Sequence, residues 1–147
     1  MSPNASSPLI SVLLILGGAV FGVLGALHAI YTLLDLRDPR RLVPVDPLVA
    51  QAMANTSLRL SQGATDMWRA WIGFNFSHSL GVLLVGVLAM SIGAQARRLP
   101  VGVIMPALTL IGCVYLVICL RYWFRTPALG VAIGTGCFAA AWLLSLR

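Results

Sequence analysis

Four long apolar runs constrain this chain more than any other feature of its sequence. The hydrocarbon core of a bilayer is about 30 Å thick, and a helix crosses it with about 20 predominantly apolar residues. Runs of this kind lie at about 9–36, 68–92, 101–122 and 127–146. We therefore predict an integral membrane protein with four helical spans.

The overall composition agrees with this prediction. Of the 147 residues, 59% are hydrophobic and 10% are charged, whereas soluble domains carry about 25% charged residues. The net charge of +6 belongs to the loops of a membrane protein, so we expect no nucleic-acid partner. The basic residues are all arginine and the acidic ones all aspartate, which excludes reactions that need a lysine imine or a glutamate base.

Two short interruptions of the apolar sequence predict that the last three spans are antiparallel neighbours. Arg97 to Pro100 separates the second span from the third, and Arg125 to Pro127 separates the third from the fourth. Short connections join antiparallel neighbours, and proline is tolerated in the first turn of a helix. The predicted fold is therefore an all-α, up-down four-transmembrane-helix bundle, with residues 1–147 as a single membrane domain.

The long first loop carries the pattern of a further helix. Asp46-Pro47 is typical of a helix start, and apolar residues follow at helical spacing until Gly63. We predict a short amphipathic helix over about 46–62, lying at the membrane surface. It either ties the first span to the second or acts as a lid over a site between the spans.

Small residues recur at helical spacing in two spans. The first span contains Gly18-x-x-x-Gly22 and the fourth contains Gly130-x-x-x-Gly134. Glycines at this spacing let helix backbones approach closely in lipid. We favour packing within the bundle over an interface between copies of the chain.

The charges indicate an orientation. In a four-span protein the first and third loops share one side of the membrane, and this side receives all four aspartates and seven arginines: Arg37, Arg40, Arg41, Arg59, Arg69, Arg121 and Arg125. The positive-inside rule then predicts that these loops are cytoplasmic and that the termini are outside.

Both histidines lie inside spans, where polar residues are expensive and usually functional. His28 and His78 sit at a depth of roughly 12–16 Å from the same membrane face, at 1.5 Å per residue. Three interpretations stay open: hydrogen bonds between helices, a ligand site, and the axial ligands of haem b. Because no cysteine belongs to a C-x-x-C pair, no metal site is predicted.

Three spans present polar stripes that would together line a pocket near the arginine-rich side. The candidate ligand-binding residues are His28, Tyr31, Arg69, Trp71, Asn75, His78, Arg121, Tyr122 and Arg125. Because guanidinium groups match phosphate and carboxylate, we predict binding of an amphiphile such as a lipid, a quinone or an isoprenoid. The alternatives are an enzyme that uses a histidine as acid or base, aromatic residues that only anchor the helices at the interface, and arginines that only meet lipid phosphates.

The stretch from Trp68 to Gly81, WRAWIGFNFSHSLG, carries a resemblance together with His28-x-x-Tyr31-Thr32 and Pro44-x-Asp46-Pro47. It resembles a family of small, uncharacterised bacterial inner-membrane proteins with four predicted spans, and the resemblance covers most of the chain. This implies the four-span fold and a bacterial inner membrane. It implies no reaction, since that family has no assigned activity.

The layout of the chain also resembles the MAPEG proteins of glutathione and eicosanoid metabolism. The similarity lies in four spans within about 150 residues and in the third loop, Arg121-x-x-x-Arg125-x-Pro127. Members of that family are trimers that bind glutathione between subunits. Arg69 and Asn75 would be the counterparts of the family's second-span residues, although their spacing differs and the usual glutamate is missing.

The expected partners are membrane lipids and a small amphiphilic ligand. A chain dominated by its spans is also suited to a homo-oligomer or to an accessory subunit of a larger membrane complex.

Overall fold

Helices make up most of the structure. The computed structural model describes residues 8–96, 98–99 and 101–146. In these ranges the α-helices are α1 (Pro8–Asp35), α2 (Pro47–Ala54), α3 (Met67–Ala94), α4 (Val101–Tyr122) and α5 (Arg125–Ser145), and a 3₁₀ turn covers Arg59–Ser61. No strand occurs among the described residues; one isolated antiparallel bridge pairs Ser57 with Asp66.

Four of these helices, all except α2, are long and apolar enough to cross a membrane. This confirms the predicted all-α, four-span fold, and the chain is an integral membrane protein. The fourth span begins at Arg125, two residues before the predicted start. The first N–H groups of a helix have no partner within it, so Pro127 fits inside the first turn.

The described chain separates into two compact units. The bundle unit holds the residues up to Leu24 together with those from Val82 onward, and the loop unit is Gly25–Gly81. Helices α1 and α3 contribute residues to both. The prediction of a single domain remains a prediction.

In the bundle unit, glycines bring α1 and α3 into backbone contact. A Cβ atom built on Gly18 would lie 2.7 Å from the carbonyl oxygen of Gly86 and 2.8 Å from the backbone nitrogen of Met90. Both distances are too short for a side-chain atom. The close approach of the two helices therefore requires glycine at Gly18 and at Gly86. Close backbone approach is how helices pack in lipid, where apolar burial gives no advantage.

Helix α5 packs on α1 through a second set of glycines. A Cβ atom on Gly134 would lie 2.7 Å from the ring of Phe21, and one on Gly17 would lie 2.7 Å from the ring of Phe138. The two phenylalanine rings stack with centroids 5.5 Å apart and are fully buried. Both small-residue motifs therefore pack within the bundle unit, as predicted.

The helix of the first loop, α2, begins as predicted but is shorter than predicted. Asp46 caps it by accepting a hydrogen bond from Leu48 N at 2.9 Å, and Pro47 is its first residue. It ends at Ala54, not near residue 62. The prediction of a longer amphipathic helix was wrong in this respect.

The physical reason lies in the residues that follow α2. The hydroxyl of Thr56 donates to Ala52 O at 2.7 Å, which is the side-chain bonding that competes with helix propagation. Beyond it the chain doubles back, and Met67 N donates to Thr56 O at 2.9 Å. Gln62 and Gly63 make the reversal with positive φ angles of 51° and 93°. Backbone pairing across this turn replaces the helical bonds that residues 57–62 would have made.

Candidate functional site

A hydrogen bond joins α1 to α3 in the loop unit. His28 Nε2 and Asn75 Oδ1 are 2.9 Å apart, and Asn75 is 1% exposed. The amide nitrogen of Asn75 donates to Trp71 O at 2.8 Å, which orients the amide oxygen towards His28. Since an amide oxygen only accepts, His28 Nε2 carries the proton of this bond.

A row of stacked rings lies along α3 next to this hydrogen bond. The rings of Trp71 and Phe74 stack with centroids 6.3 Å apart, and Phe74 stacks on His78 at 6.0 Å. The His78 ring then meets His28 edge to face, with centroids 5.2 Å apart and an angle of 71° between the planes. The two imidazoles thus belong to one packed cluster, which we call the histidine cluster: His28, Trp71, Phe74, Asn75 and His78.

The geometry of this cluster does not fit a haem held by both histidines. Such a haem would lie between two imidazoles that aim their Nε2 atoms at its opposite faces. Here the two rings contact each other edge to face, and His28 Nε2 is bonded to Asn75. No space for a macrocycle separates the rings, so a haem ligated by both histidines does not fit this cluster.

A buried carboxylate organises the loop that follows α1. Asp35 is 2% exposed and accepts backbone N–H groups from the loop: Arg40 N at 3.0 Å, Arg41 N at 3.1 Å and Leu42 N at 2.6 Å. Successive backbone N–H groups of this kind form a concave anion site. We call this arrangement the Asp35 cradle (Asp35 and residues 40–42).

Arg41 connects the cradle to its surroundings. Its guanidinium lies 3.5 Å from Asp35 Oδ1 and 6.0 Å from the centroid of the Tyr31 ring, within reach of a cation–π interaction. The indole nitrogen of Trp71 donates to Leu42 O at 2.8 Å. The loop is therefore attached to α1 through Asp35 and to α3 through Trp71.

A cavity of about 420 Å³ lies beside this attachment. Its walls are Arg41, Leu42, Val43, Pro44, Met53 and Trp71. We call it the loop cavity. Five of the six wall residues are apolar or aromatic, and Arg41 is the charged residue among them. Ligand sites in proteins have this character, with an apolar lining and few polar groups.

Six of the predicted site residues lie in the loop unit, and the structure brings most of them together. His28, Asn75 and His78 are in the histidine cluster, Trp71 belongs to both the cluster and the loop cavity, and Tyr31 lies under Arg41 with 42% of its surface exposed. The remaining one, Arg69, is exposed. Its backbone N–H bonds to Asp66 at 2.7 Å, and it does not line the loop cavity.

The other three predicted residues, Arg121, Tyr122 and Arg125, belong to the bundle unit. They flank the turn from α4 to α5 and all are exposed, Tyr122 by 82%. A joint pocket of these residues with the histidines remains a prediction.

The predicted set of ligand-binding residues did not include Asp35, Arg41 or Leu42, although Asp35 lies on the polar stripe of the first span. Asp35 carried a usable signal, because an acid at the end of an apolar span needs a partner for its charge. Nothing in the sequence distinguished Arg41 from Arg40, since that difference depends on the path of the loop.

The side chains of the histidine cluster and the loop cavity are suited to binding and orienting a ligand. The histidine cluster offers fixed hydrogen-bonding rings, and the loop cavity offers a cation beside apolar walls. In the part of the chain that the structure describes, no group of three or more His, Cys, Asp or Glu residues is placed to hold a metal ion.

Comparisons of the chain with protein-family models, with curated proteins and with solved structures each found no match.

Proposed function

We propose that this integral membrane protein binds an amphiphile of the lipid, quinone or isoprenoid type in its loop unit. The observation that carries the proposal is the loop cavity, whose wall combines one arginine with otherwise apolar or aromatic residues. An amphiphile has the same division between a polar head and an apolar body.

Arg41 is the residue that we assign to the head group. Its side chain is 39% exposed and the contact of its guanidinium with Asp35, at 3.5 Å, is long, so donors remain for a phosphate, carboxylate or carbonyl oxygen. Asp35 holds the neighbouring backbone and thereby fixes where Arg41 stands. The apolar part of the ligand would lie against Met53 and Trp71.

The histidine cluster supports the site from within the membrane. Asn75 and His28 hold α1 and α3 together beneath the loop, and Trp71 extends from the cluster into the cavity wall. A change at Asn75 therefore reaches the cavity through Trp71. The proposal predicts loss of the ligand when either Asn75 or His78 becomes alanine.

We further propose that the protein resides in a bacterial inner membrane as an accessory subunit or homo-oligomer. This rests on the resemblance of the segment from Trp68 to Gly81 to four-span inner-membrane proteins. The alternative is a membrane enzyme, and it rests on the similarity of layout to the MAPEG proteins. The bound amphiphile would then be a substrate.

The test is mass spectrometry of organic extracts from the purified protein and from two arginine variants. We expect the unchanged protein to carry a stoichiometric amphiphile and Arg41→Gln to lose most of it. The backbone donors of the Asp35 cradle do not involve the guanidinium, so the loop should keep its fold in this variant.

Arg40→Gln is the matched control. Arg40 is the neighbouring residue and has the same charge, but it pairs with Asp38 in solvent and is not part of the cavity wall. It should retain the amphiphile. Equal amounts of the same amphiphile in both variants would contradict the proposal.

A further inference from the structure

A second cavity, independent of the proposed site, lies in the bundle unit. It is a groove of about 700 Å³ along the end of α4 and the start of α5. Leu116, Leu120, Leu129 and Ala132 form its apolar length, and Arg125 and Thr126 stand at one end. We call it the hairpin groove.

The groove runs from the membrane interface into the hydrocarbon. Arg125 is the first residue of a helix that is long and apolar enough to cross a membrane, and the ends of such a helix lie near the lipid phosphates. Ala132 is seven residues further along α5, which places it about 10 Å deeper at 1.5 Å per residue. Leu120 and Leu129 are 70% and 66% exposed, so the groove is open to lipid along its side.

The charge at the end of the groove has no counterpart on these helices. Asp66 is the last acidic residue in the sequence, so α3, α4 and α5 contain no carboxylate that could pair with Arg125. The groove thus combines a cation at phosphate level with an apolar surface that continues towards the membrane centre. An anionic phospholipid has the complementary charge and shape.

We propose that the hairpin groove is a binding site for an anionic phospholipid. The lipid phosphate accepts hydrogen bonds from the Arg125 guanidinium, and the hydroxyl of Thr126 stands beside it. One acyl chain lies along Leu116 and Ala132. The assignment goes beyond the amphiphile of the loop unit, because it uses different residues and a bulk membrane lipid.

The experiment is native mass spectrometry of the detergent-purified full chain, titrated separately with phosphatidylglycerol and phosphatidylcholine. The unchanged protein should retain phosphatidylglycerol more strongly. Arg125→Gln should lower the apparent affinity for phosphatidylglycerol roughly five-fold, as expected for one guanidinium near a membrane surface. Its affinity for phosphatidylcholine should stay the same.

Arg121→Gln is the matched control, because Arg121 is exposed at the same end of α4 but does not line the groove. It should keep the preference for phosphatidylglycerol. If Arg121→Gln weakens binding as much as Arg125→Gln does, the lipid responds to surface charge alone and the proposal is overturned. Equal retention of the two lipids by the unchanged protein overturns it as well.

A variant of the apolar length tests the groove separately from the charge. Ala132→Phe places a ring in the groove and should reduce the retention of both lipids, while elution from size exclusion shows that the protein is folded. Undiminished binding of phosphatidylglycerol by folded Ala132→Phe would mean that the acyl chain does not lie there.

Discussion

At the scale of single residues, Asp35 has the most demanding surroundings. A buried carboxylate is costly unless its charge is compensated by hydrogen bonds. Asp35 obtains these bonds from backbone N–H groups of residues 40–42 and a contact from Arg41. The loop conformation and the burial of the charge therefore depend on each other.

We expect Asp35→Asn to destabilise the protein by about 1–3 kcal/mol, the cost of leaving buried hydrogen-bonding groups badly paired. The amide loses the negative charge, and its NH₂ group faces backbone N–H groups that can only donate. Thermal unfolding in detergent measures the effect as a lower Tm.

Asp38→Asn is the control for this substitution. Asp38 pairs with Arg40 at 2.7 Å in solvent, and exposed pairs contribute about 0–1 kcal/mol. Its Tm should stay close to that of the unchanged protein. Equal Tm values for Asp35→Asn and the unchanged protein would show that the cradle contributes little stability.

At the scale of helices, the crossing of α1 and α3 depends on the absence of a side chain at Gly86. A Cβ atom at this position would lie 2.6 Å from Gly18 O. We expect Gly86→Ala to push the helices apart at a cost of about 1–3 kcal/mol, as for other overpacked interiors. On heating in detergent, Gly86→Ala should lose its α-helical signal at a lower temperature than the unchanged protein does.

Gly73→Ala provides the comparison on the same helix. A Cβ atom at Gly73 has no neighbour within 4 Å, and alanine favours a helix over glycine by about 0.5–1 kcal/mol. This variant should be as stable as the unchanged protein or more so. If both glycine variants behave alike, the close approach at Gly86 does not limit the packing.

The arrangement of the helices could be predicted from the sequence only in part. Span positions followed from apolar length alone, because the bilayer allows few other solutions. The glycine motifs indicated close packing, but the partner of Gly18 is Gly86, which stands outside both motifs. The end of α2 was missed because the bridge between Ser57 and Asp66 forms through chain reversal, which helical periodicity does not register.

The candidate site was predictable only in part for a related reason. His28, Asn75 and His78 are polar residues at helical spacing inside spans, and that pattern found them. Arg41 lines the loop cavity because Asp35 binds the backbone around it. A side chain positioned by a folded loop has no periodic signature.

At the scale of the whole molecule, the distribution of charge predicts how the chain is inserted. In the predicted four-span topology, all four aspartates and seven arginines fall on the side of the first and third loops. The positive-inside rule predicts that this side is cytoplasmic and, with four spans, that both termini are outside.

Fusions to the C-terminus test this orientation in bacterial cells. Alkaline phosphatase is active only outside the cytoplasm, and green fluorescent protein folds to a fluorescent form inside it. We expect an active phosphatase fusion and a dark fluorescent-protein fusion. The opposite pair of results would reverse the predicted orientation.

The Asp35 cradle also bears on how freely this loop can change in evolution. Its donors belong to the main chain, and every amino acid except proline supplies an identical N–H group. Position 40, whose side chain does not line the loop cavity, can therefore drift among chemically unrelated side chains while the carboxylate stays bound. A loop that looks variable by side chain can in this way keep one conformation, with proline as the substitution that selection would remove.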